Sequence, residues 1–182
     1  MNIYLSLSSD KHIDKYSNLS VELKKIYKNC VINIFIDELN YLSYEDLKHD
    51  KFSSIDNLIS INAYNKNLSI EESKKIIYEN DLIVPSNLYN SDLRFHAKIL
   101  NKDELIVKQA KMIKIFKDNL VNENSISFCM SGTNLVHSVL FKISDSLNIC
   151  TYRIHNFVTF EIGFKLPRIW FSPIIIDKDL DN

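Results

Sequence analysis

The sequence predicts an α/β fold: a Rossmann-like, doubly wound and mainly parallel sheet of about six strands with helices on both faces. Short apolar runs alternate along the chain with segments whose apolar residues recur at helical spacing. The helical segments are long enough to cross between parallel strands. The clearest run, residues 30–37, is rich in β-branched residues and nearly free of polar ones, as expected of a strand covered on both faces.

The first half of the chain supplies three of these strands. Residues 2–8 and 30–37 predict strands that flank a helix over residues 16–29, where apolar residues recur on one face and lysines on the other. Residues 43–50 predict a short helix, and residues 57–64 predict a third, weaker strand.

The second half continues the alternation. Ser69 and Glu72 have the spacing of a capping box, which predicts a helix start there. The later predicted elements are a strand at 81–86, a helix at 102–122, a strand at 125–130, a helix at 134–148, a strand at 149–154 and an extended segment at 168–176.

Length and composition favour one domain. A chain of 182 residues, 46% hydrophobic and 25% charged, has the balance of a globular protein with one core. We predict a single Rossmann-like domain over residues 1–176, with residues 177–182 as a tail or the start of an interdomain connection.

Charge and hydropathy restrict the partners. The net charge of -1 supplies no basic field for a nucleic-acid backbone. The N-terminus lacks a signal-peptide pattern, and no run approaches the roughly 20 apolar residues of a membrane span. The sequence therefore predicts a soluble cytoplasmic protein with no nucleic-acid partner and no transmembrane segment.

Cysteine and glycine usage add two expectations. Cys30, Cys129 and Cys150 lie in or beside apolar runs and form no C-x-x-C pair, which predicts buried free thiols. The chain has only two glycines, so most turns are expected to use Asn, Asp and Ser.

One of the two glycines, Gly132, lies at a joint between a predicted strand and a predicted helix. In a doubly wound sheet, ligands bind beyond the carboxyl ends of the strands. A helix start there offers free N–H groups to an anion or a sugar hydroxyl. The loop therefore predicts a binding site for a phosphate, a nucleotide sugar or a carbohydrate acceptor, formed by Ser131, Gly132, Thr133 and Asn134. The alternative is a tight turn with a helix cap and no ligand.

Known phosphate-loop patterns are missing from this joint. It matches neither G-x-x-x-x-G-K-[ST] nor G-x-G-x-x-G, so ATP hydrolysis and NAD-dependent oxidoreduction are poorly supported.

Arginine and histidine residues give the remaining candidates. Arg94 and Arg153 fall near predicted strand ends, where guanidinium groups suit anionic ligands, although structural ion pairs are the alternative. His155, at the predicted mouth of a strand, is the best candidate for a general base. His137 could face either the site or the core. The histidine spacing predicts no metal site. No bound cofactor is expected.

Residues 76–173 resemble the N-terminal domain of GT-B-type glycosyltransferases of bacterial surface and capsular polysaccharide biosynthesis. The segments that carry the likeness are "YENDLIVPSNLYNSDLRFHAK", "SISFCMSGTNLVHSVLFKISDSLNICTYRIHNF" and "GFKLPRIWFSP". A looser likeness exists to the nucleotide-sugar 2-epimerases.

The resemblance implies a domain that holds the acceptor side of a glycosyl transfer, with a nucleotide sugar as donor substrate. Residues 131–134 match the loop that faces the interdomain cleft, and His155 and Asn156 match the loop after the next strand. Such enzymes need a second Rossmann-like domain, so catalysis would require a longer chain or a complex. Two alternatives stay open: a non-catalytic α/β binding or partner subunit that completes a split transferase, and a small nucleotide-dependent enzyme complete in itself.

Overall fold

A computed structural model describes residues 1–8, 13–37, 52–64, 67–82, 101–130, 135–156 and 169–173. Within these ranges lie six strands and four α-helices. The strands are β1 (Asn2–Leu7), β2 (Val31–Ile36), β3 (Asn57–Ser60), β4 (Ser125–Met130), β5 (Cys150–Asn156) and β6 (Ile169–Pro173). The helices are α1 (Ile13–Ile26), α2 (Ile70–Glu79), α3 (Lys102–Asn119) and α4 (Leu135–Ser146).

The strands form one sheet in the order β3-β2-β1-β4-β5-β6. The first five are parallel to their neighbours, and β6 runs antiparallel to β5. The chain first builds the sheet outward from β1 through β2 to β3, then returns to the other side of β1 with β4. This order confirms the predicted Rossmann-like, mainly parallel fold, with its topological switch point at β1.

Helices cover both faces of the sheet, as predicted. Because successive side chains of a strand point to opposite faces, each central strand contributes to two cores. One core packs α1 against Ile3, Leu5 and Leu7 of β1 and against alternate residues of β2. The other core packs α2, α3 and α4 against Tyr4 and Phe35.

Several predicted elements differ from the structure in their bounds. The third strand ends at Ser60, because the Ser60 hydroxyl accepts a hydrogen bond from the Asn62 N–H (3.1 Å) and starts a 3-10 turn over Ile61–Ala63. Helix α1 begins three residues earlier than predicted. In the predicted strand at 81–86, Asp81 lies in a turn, Leu82 is not in a strand, and the other residues lie outside the described ranges. The predicted helix at 43–50 also lies outside the described ranges.

Capping boxes start two of the helices. The Ser69 hydroxyl and the Glu72 carboxylate exchange hydrogen bonds with each other's backbone N–H groups, which confirms the predicted start of α2. Asn101 and Glu104 form the same arrangement at α3. An asparagine in place of the usual Ser or Thr hid this second box from sequence inspection.

Among the described residues, Asn and Asp occupy left-handed turn positions, as the scarcity of glycine predicts. Asp81, Asn124 and Asn148 have φ values of 49°, 52° and 55°. Cys30 and Cys129 are buried free thiols, but Cys150 is exposed, so that part of the prediction is wrong. Cys150 begins β5 on a part of the sheet that α1 does not cover. In the described part of the chain, no helix is long and apolar enough to cross a membrane.

Asp56 joins three elements at the amino edge of the sheet. Its carboxylate accepts hydrogen bonds from the Ile32 N–H (2.7 Å) and from Lys24 Nζ (2.5 Å), so β2 and α1 are both bound to the turn that precedes β3. Partial burial disfavours the charged carboxylate, but these hydrogen bonds outweigh it and lower the pKa of Asp56 below its ordinary value.

We predict that Asp56→Asn destabilises the fold at pH 7 and that this difference shrinks in acid. A lowered pKa in the folded state gives stability that is present above the unfolded-state pKa of about 3.9 and is lost as the pH falls through the folded-state pKa. Urea unfolding of both proteins at pH 7, 5 and 3 measures the difference.

Asp118→Asn, at an exposed position on α3, is the control and should stay within about 0.5 kcal/mol of the parent at each pH. A constant destabilisation by Asp56→Asn from pH 7 to 3 would contradict the assigned role of the carboxylate.

Candidate functional site

The carboxyl edge of the sheet at β1 is the place where this topology favours a ligand. β1 pairs with β2 on one side and with β4 on the other, and the chain leaves all three strands at the same edge. In open α/β sheets, ligands bind in the crevice outside the strand ends at such a switch point. The described residues place a group of buried polar side chains there.

His137 lies between Ser6 of the central strand β1 and Ser8, the residue that follows the strand. The hydroxyl oxygen of Ser6 is 2.7 Å from His137 Nδ1, and the hydroxyl oxygen of Ser8 is 3.0 Å from His137 Nε2. All three side chains are at most 3% exposed. Both ring nitrogens are thus engaged, and the two hydroxyls can satisfy either neutral tautomer because a hydroxyl both donates and accepts.

The strand pattern explains how the two serines come together. Tyr4, Ser6 and Ser8 occupy alternate positions of β1 and its end, so they point to the face covered by α3 and α4. Serine is small, which leaves space beside β1 for an imidazole ring. His137 is the third residue of α4 and enters that space from the start of the helix.

A buried ion pair lies next to this group. Asp37 directly follows β2, and its N–H donates to the Leu7 carbonyl (2.9 Å), which places Asp37 beside Ser8 across neighbouring strands. The Asp37 carboxylate contacts Lys108 Nζ of α3, and both side chains are at most 10% exposed. The pair therefore brings both charge signs close to the end of β1.

Aromatic rings form the floor beneath the polar group. Tyr4 and Phe35 stack with centroids 6.1 Å apart, and Phe35 meets Phe116 edge to face at 4.6 Å. The Tyr4 hydroxyl donates to the Asn119 carbonyl (3.2 Å) and accepts from the Val121 N–H (3.0 Å). These contacts fix α3 against the sheet, and with it the position of Lys108.

The three side chains of Ser6, Ser8 and His137 are buried and bonded to one another, so they hold the start of α4 against the end of β1. Because His137 is buried and both its nitrogens are bound, it orients Ser8 more readily than it meets a ligand itself. No group of three His, Cys, Asp or Glu side chains in the described ranges is arranged to hold a metal ion.

The predicted loop of Ser131, Gly132, Thr133 and Asn134 lies outside the described residues, as does Arg94. The two ends of that loop are described. It leaves β4 after Met130 and enters α4 at Leu135, two residues before His137. The residues that flank the predicted loop and the observed polar group therefore share one edge of the sheet.

The other predicted site residues lie in strand β5. Arg153 pairs with Cys129 on one side and Ser172 on the other, His155 pairs with Trp170, and Asn156 pairs with Ile169. The expectation that His155 and Asn156 lie in a loop is therefore wrong, because pairing with β6 extends the strand through both. β5 continues two residues beyond the partner of Met130, so their backbone lies at the same carboxyl edge.

Sequence inspection missed Ser6, Ser8, Asp37 and Lys108. A signal for the serines was present, since two hydroxyls at alternate positions of an otherwise apolar strand must find partners. Lys108 belongs to a helix with lysines on several faces, so its inward position could not be separated from the exposed ones. His137 was recognised as a residue that could face either site or core, and the structure gives it contacts to β1.

Neither a protein-family model nor a curated protein sequence matches this chain.

We predict that Lys108→Met destabilises the protein by about 3–5 kcal/mol, because it leaves the Asp37 carboxylate buried without its cation. Adding Asp37→Asn to Lys108→Met should recover part of this loss, since the second change removes the uncompensated charge. Urea unfolding of the single and double variants measures the difference.

Lys111→Met, one turn along the same helix and only half-buried, is the control for removal of a lysine and should change stability by about 0.5 kcal/mol or less. A double variant as unstable as the sum of its single variants would show that the two charges do not interact.

Proposed function

We propose that this domain binds a sugar-containing phosphate ligand at the carboxyl edge of β1 and β4, and that it is the acceptor-side domain of a glycosyltransferase in bacterial surface-glycan biosynthesis. The observation that carries the proposal is the convergence of Ser6, Ser8 and His137 at the edge where residues 131–134 join β4 to α4. The resemblance to the N-terminal domain of GT-B-type enzymes supports the assignment to glycosyl transfer.

Each group has a distinct role in this proposal. The Ser131–Asn134 loop contacts the phosphate or the acceptor through its N–H and hydroxyl groups. Arg94 and Arg153 neutralise the anionic groups. His137 is a positioning residue that orients Ser8, because its own nitrogens are bound inside the fold.

His155 is proposed as the base. An acceptor hydroxyl oxygen attacks the anomeric carbon of the nucleotide sugar, the bond from that carbon to the phosphate oxygen breaks, and the hydroxyl proton goes to His155. The nucleotide leaves with its phosphate. The position of residue 155 supports this role, since its backbone lies at the carboxyl edge, about two strand spacings, or roughly 10 Å, from β1.

Transfer also needs a donor-binding unit, so we expect chemistry in a complex or a longer chain and ligand binding by the domain itself. A stable monomer that binds nucleotide sugars agrees with the proposal. A tight complex with another protein, without sugar binding, would instead indicate the non-catalytic partner subunit.

We predict that Gly132→Val and Ser8→Ala each weaken binding of a nucleotide sugar by tenfold or more. The valine side chain occupies the space that glycine leaves for the close approach of a ligand. Ser8→Ala removes the hydroxyl that contacts His137 Nε2. Isothermal titration with a panel of uridine- and cytidine-based nucleotide sugars measures binding, and circular dichroism measures the fold.

Ser127→Ala is the matched control. Ser127 is also a fully buried serine on the same sheet, with its hydroxyl 2.5 Å from Thr151 Oγ1, but it lies nearer the amino edge. It should lose similar stability and keep ligand affinity within about twofold of the parent. The proposal fails if none of the nucleotide sugars binds the parent, or if both site variants bind as well as Ser127→Ala.

A further inference from the structure

An apolar groove of about 400 Å³ lies on the α1 face of the sheet, away from the candidate ligand site. The second half of α1 forms one wall and the first halves of β4 and β5 form the other. The apolar side chains of its lining include Leu23, Ile26, Tyr27, Ile126, Phe128 and Tyr152.

This part of the sheet is less covered than its centre. Helix α1 packs on β1 and β2, whereas Ile126 and Tyr152 in β4 and β5 are half-buried. On the helix side of the groove, Ile26 is 68% exposed and Tyr27 is 41% exposed. Parallel strands are normally covered on both faces, so an apolar segment is expected over β4 and β5.

The sheet register indicates which segment can reach the groove. β6 ends at Pro173, which pairs with Tyr152, a residue of the groove wall. The next residues, 174–176, are three consecutive isoleucines, and Asp177 and Asp179 follow. Residues advance by at most about 3.6 Å each, so a segment that follows Pro173 directly begins close to Tyr152.

The connection between β5 and β6 is a poorer candidate. Residues 157–168 begin after Asn156 and end before Ile169, and those two residues pair with each other at the carboxyl edge. The groove lies towards the opposite edge, near the start of β5. Charge also favours residues 174–179, because Lys28, two residues after the end of α1, suits the aspartates that follow the isoleucines, whereas Lys25 is paired with Glu22.

We propose that residues 174–176 of this chain dock in the groove between α1 and the β4–β5 part of the sheet, with Asp177 and Asp179 towards Lys28. The segment supplies the cover that this face needs and holds the edge strand β6 to the body of the domain. This interaction is independent of the proposed ligand site, which lies at the other edge.

Cysteine cross-linking of the full chain tests the proposal. In a Cys150→Ser background, which removes the exposed thiol, Glu22→Cys on the groove wall is combined with Ile175→Cys. Mild oxidation at low protein concentration should join the two within one molecule, and mass spectrometry of the digest identifies the linked peptides. The matched control combines Ile175→Cys with Glu79→Cys, also an exposed glutamate on a helix, but on the other face of the sheet.

A second measurement does not depend on the new cysteines. Ile175→Asp should increase binding of a hydrophobic dye and lower the melting temperature, because a charge in the segment opposes docking. The proposal is overturned if Glu22→Cys cross-links no more than Glu79→Cys, if the link forms only between two molecules, or if Ile175→Asp leaves dye binding unchanged. A link between two molecules would assign the groove to a second copy of the chain.

Discussion

The hydrogen bonds from His137 to Ser6 and Ser8 fix the helix that enters the candidate site against the central strand. β1 is bordered by strands on both sides, and its two buried hydroxyls face α4. A buried hydroxyl without a partner costs about 1–3 kcal/mol, so the imidazole ring restricts both the rotation and the axial position of α4. The start of α4 at Leu135 is set by the same contacts, so three buried polar side chains determine the geometry at this edge.

The outline of the fold could be predicted from sequence because it depends on the periodicity of apolar residues. The candidate site could be predicted only in part, because it depends on side chains that are far apart in the chain. The buried run at 30–37 and the Ser69–Glu72 spacing are local signals, and the strand and helix they predict are present. The contact between Ser6 and His137 spans 131 residues, and no local pattern encodes it. His155 was expected in a loop because its strand partner, Trp170, lies beyond a connection whose path the sequence does not indicate.

The two faces of the sheet differ in the side chains that they carry. The face covered by α2, α3 and α4 carries Ser6, Ser8 and His137 at its carboxyl edge, with the aromatic rings of Tyr4 and Phe35 beneath them. The face covered by α1 is apolar and ends in a groove beside β4 and β5. A ligand at the carboxyl edge and a segment docked in the groove would act on opposite ends of β5, the strand that contains both Tyr152 and His155.

The left-handed turns at Asp81, Asn124 and Asn148 also affect the unfolded chain. Asn and Asp tolerate a positive φ at a cost of about 1 kcal/mol in the folded state, a cost that glycine avoids. They also have fewer backbone conformations than glycine when the chain is unfolded, so less entropy is lost on folding. The scarcity of glycine thus exchanges local strain in the turns for an unfolded ensemble of lower conformational entropy, and part of the stability of this protein originates in its unfolded state.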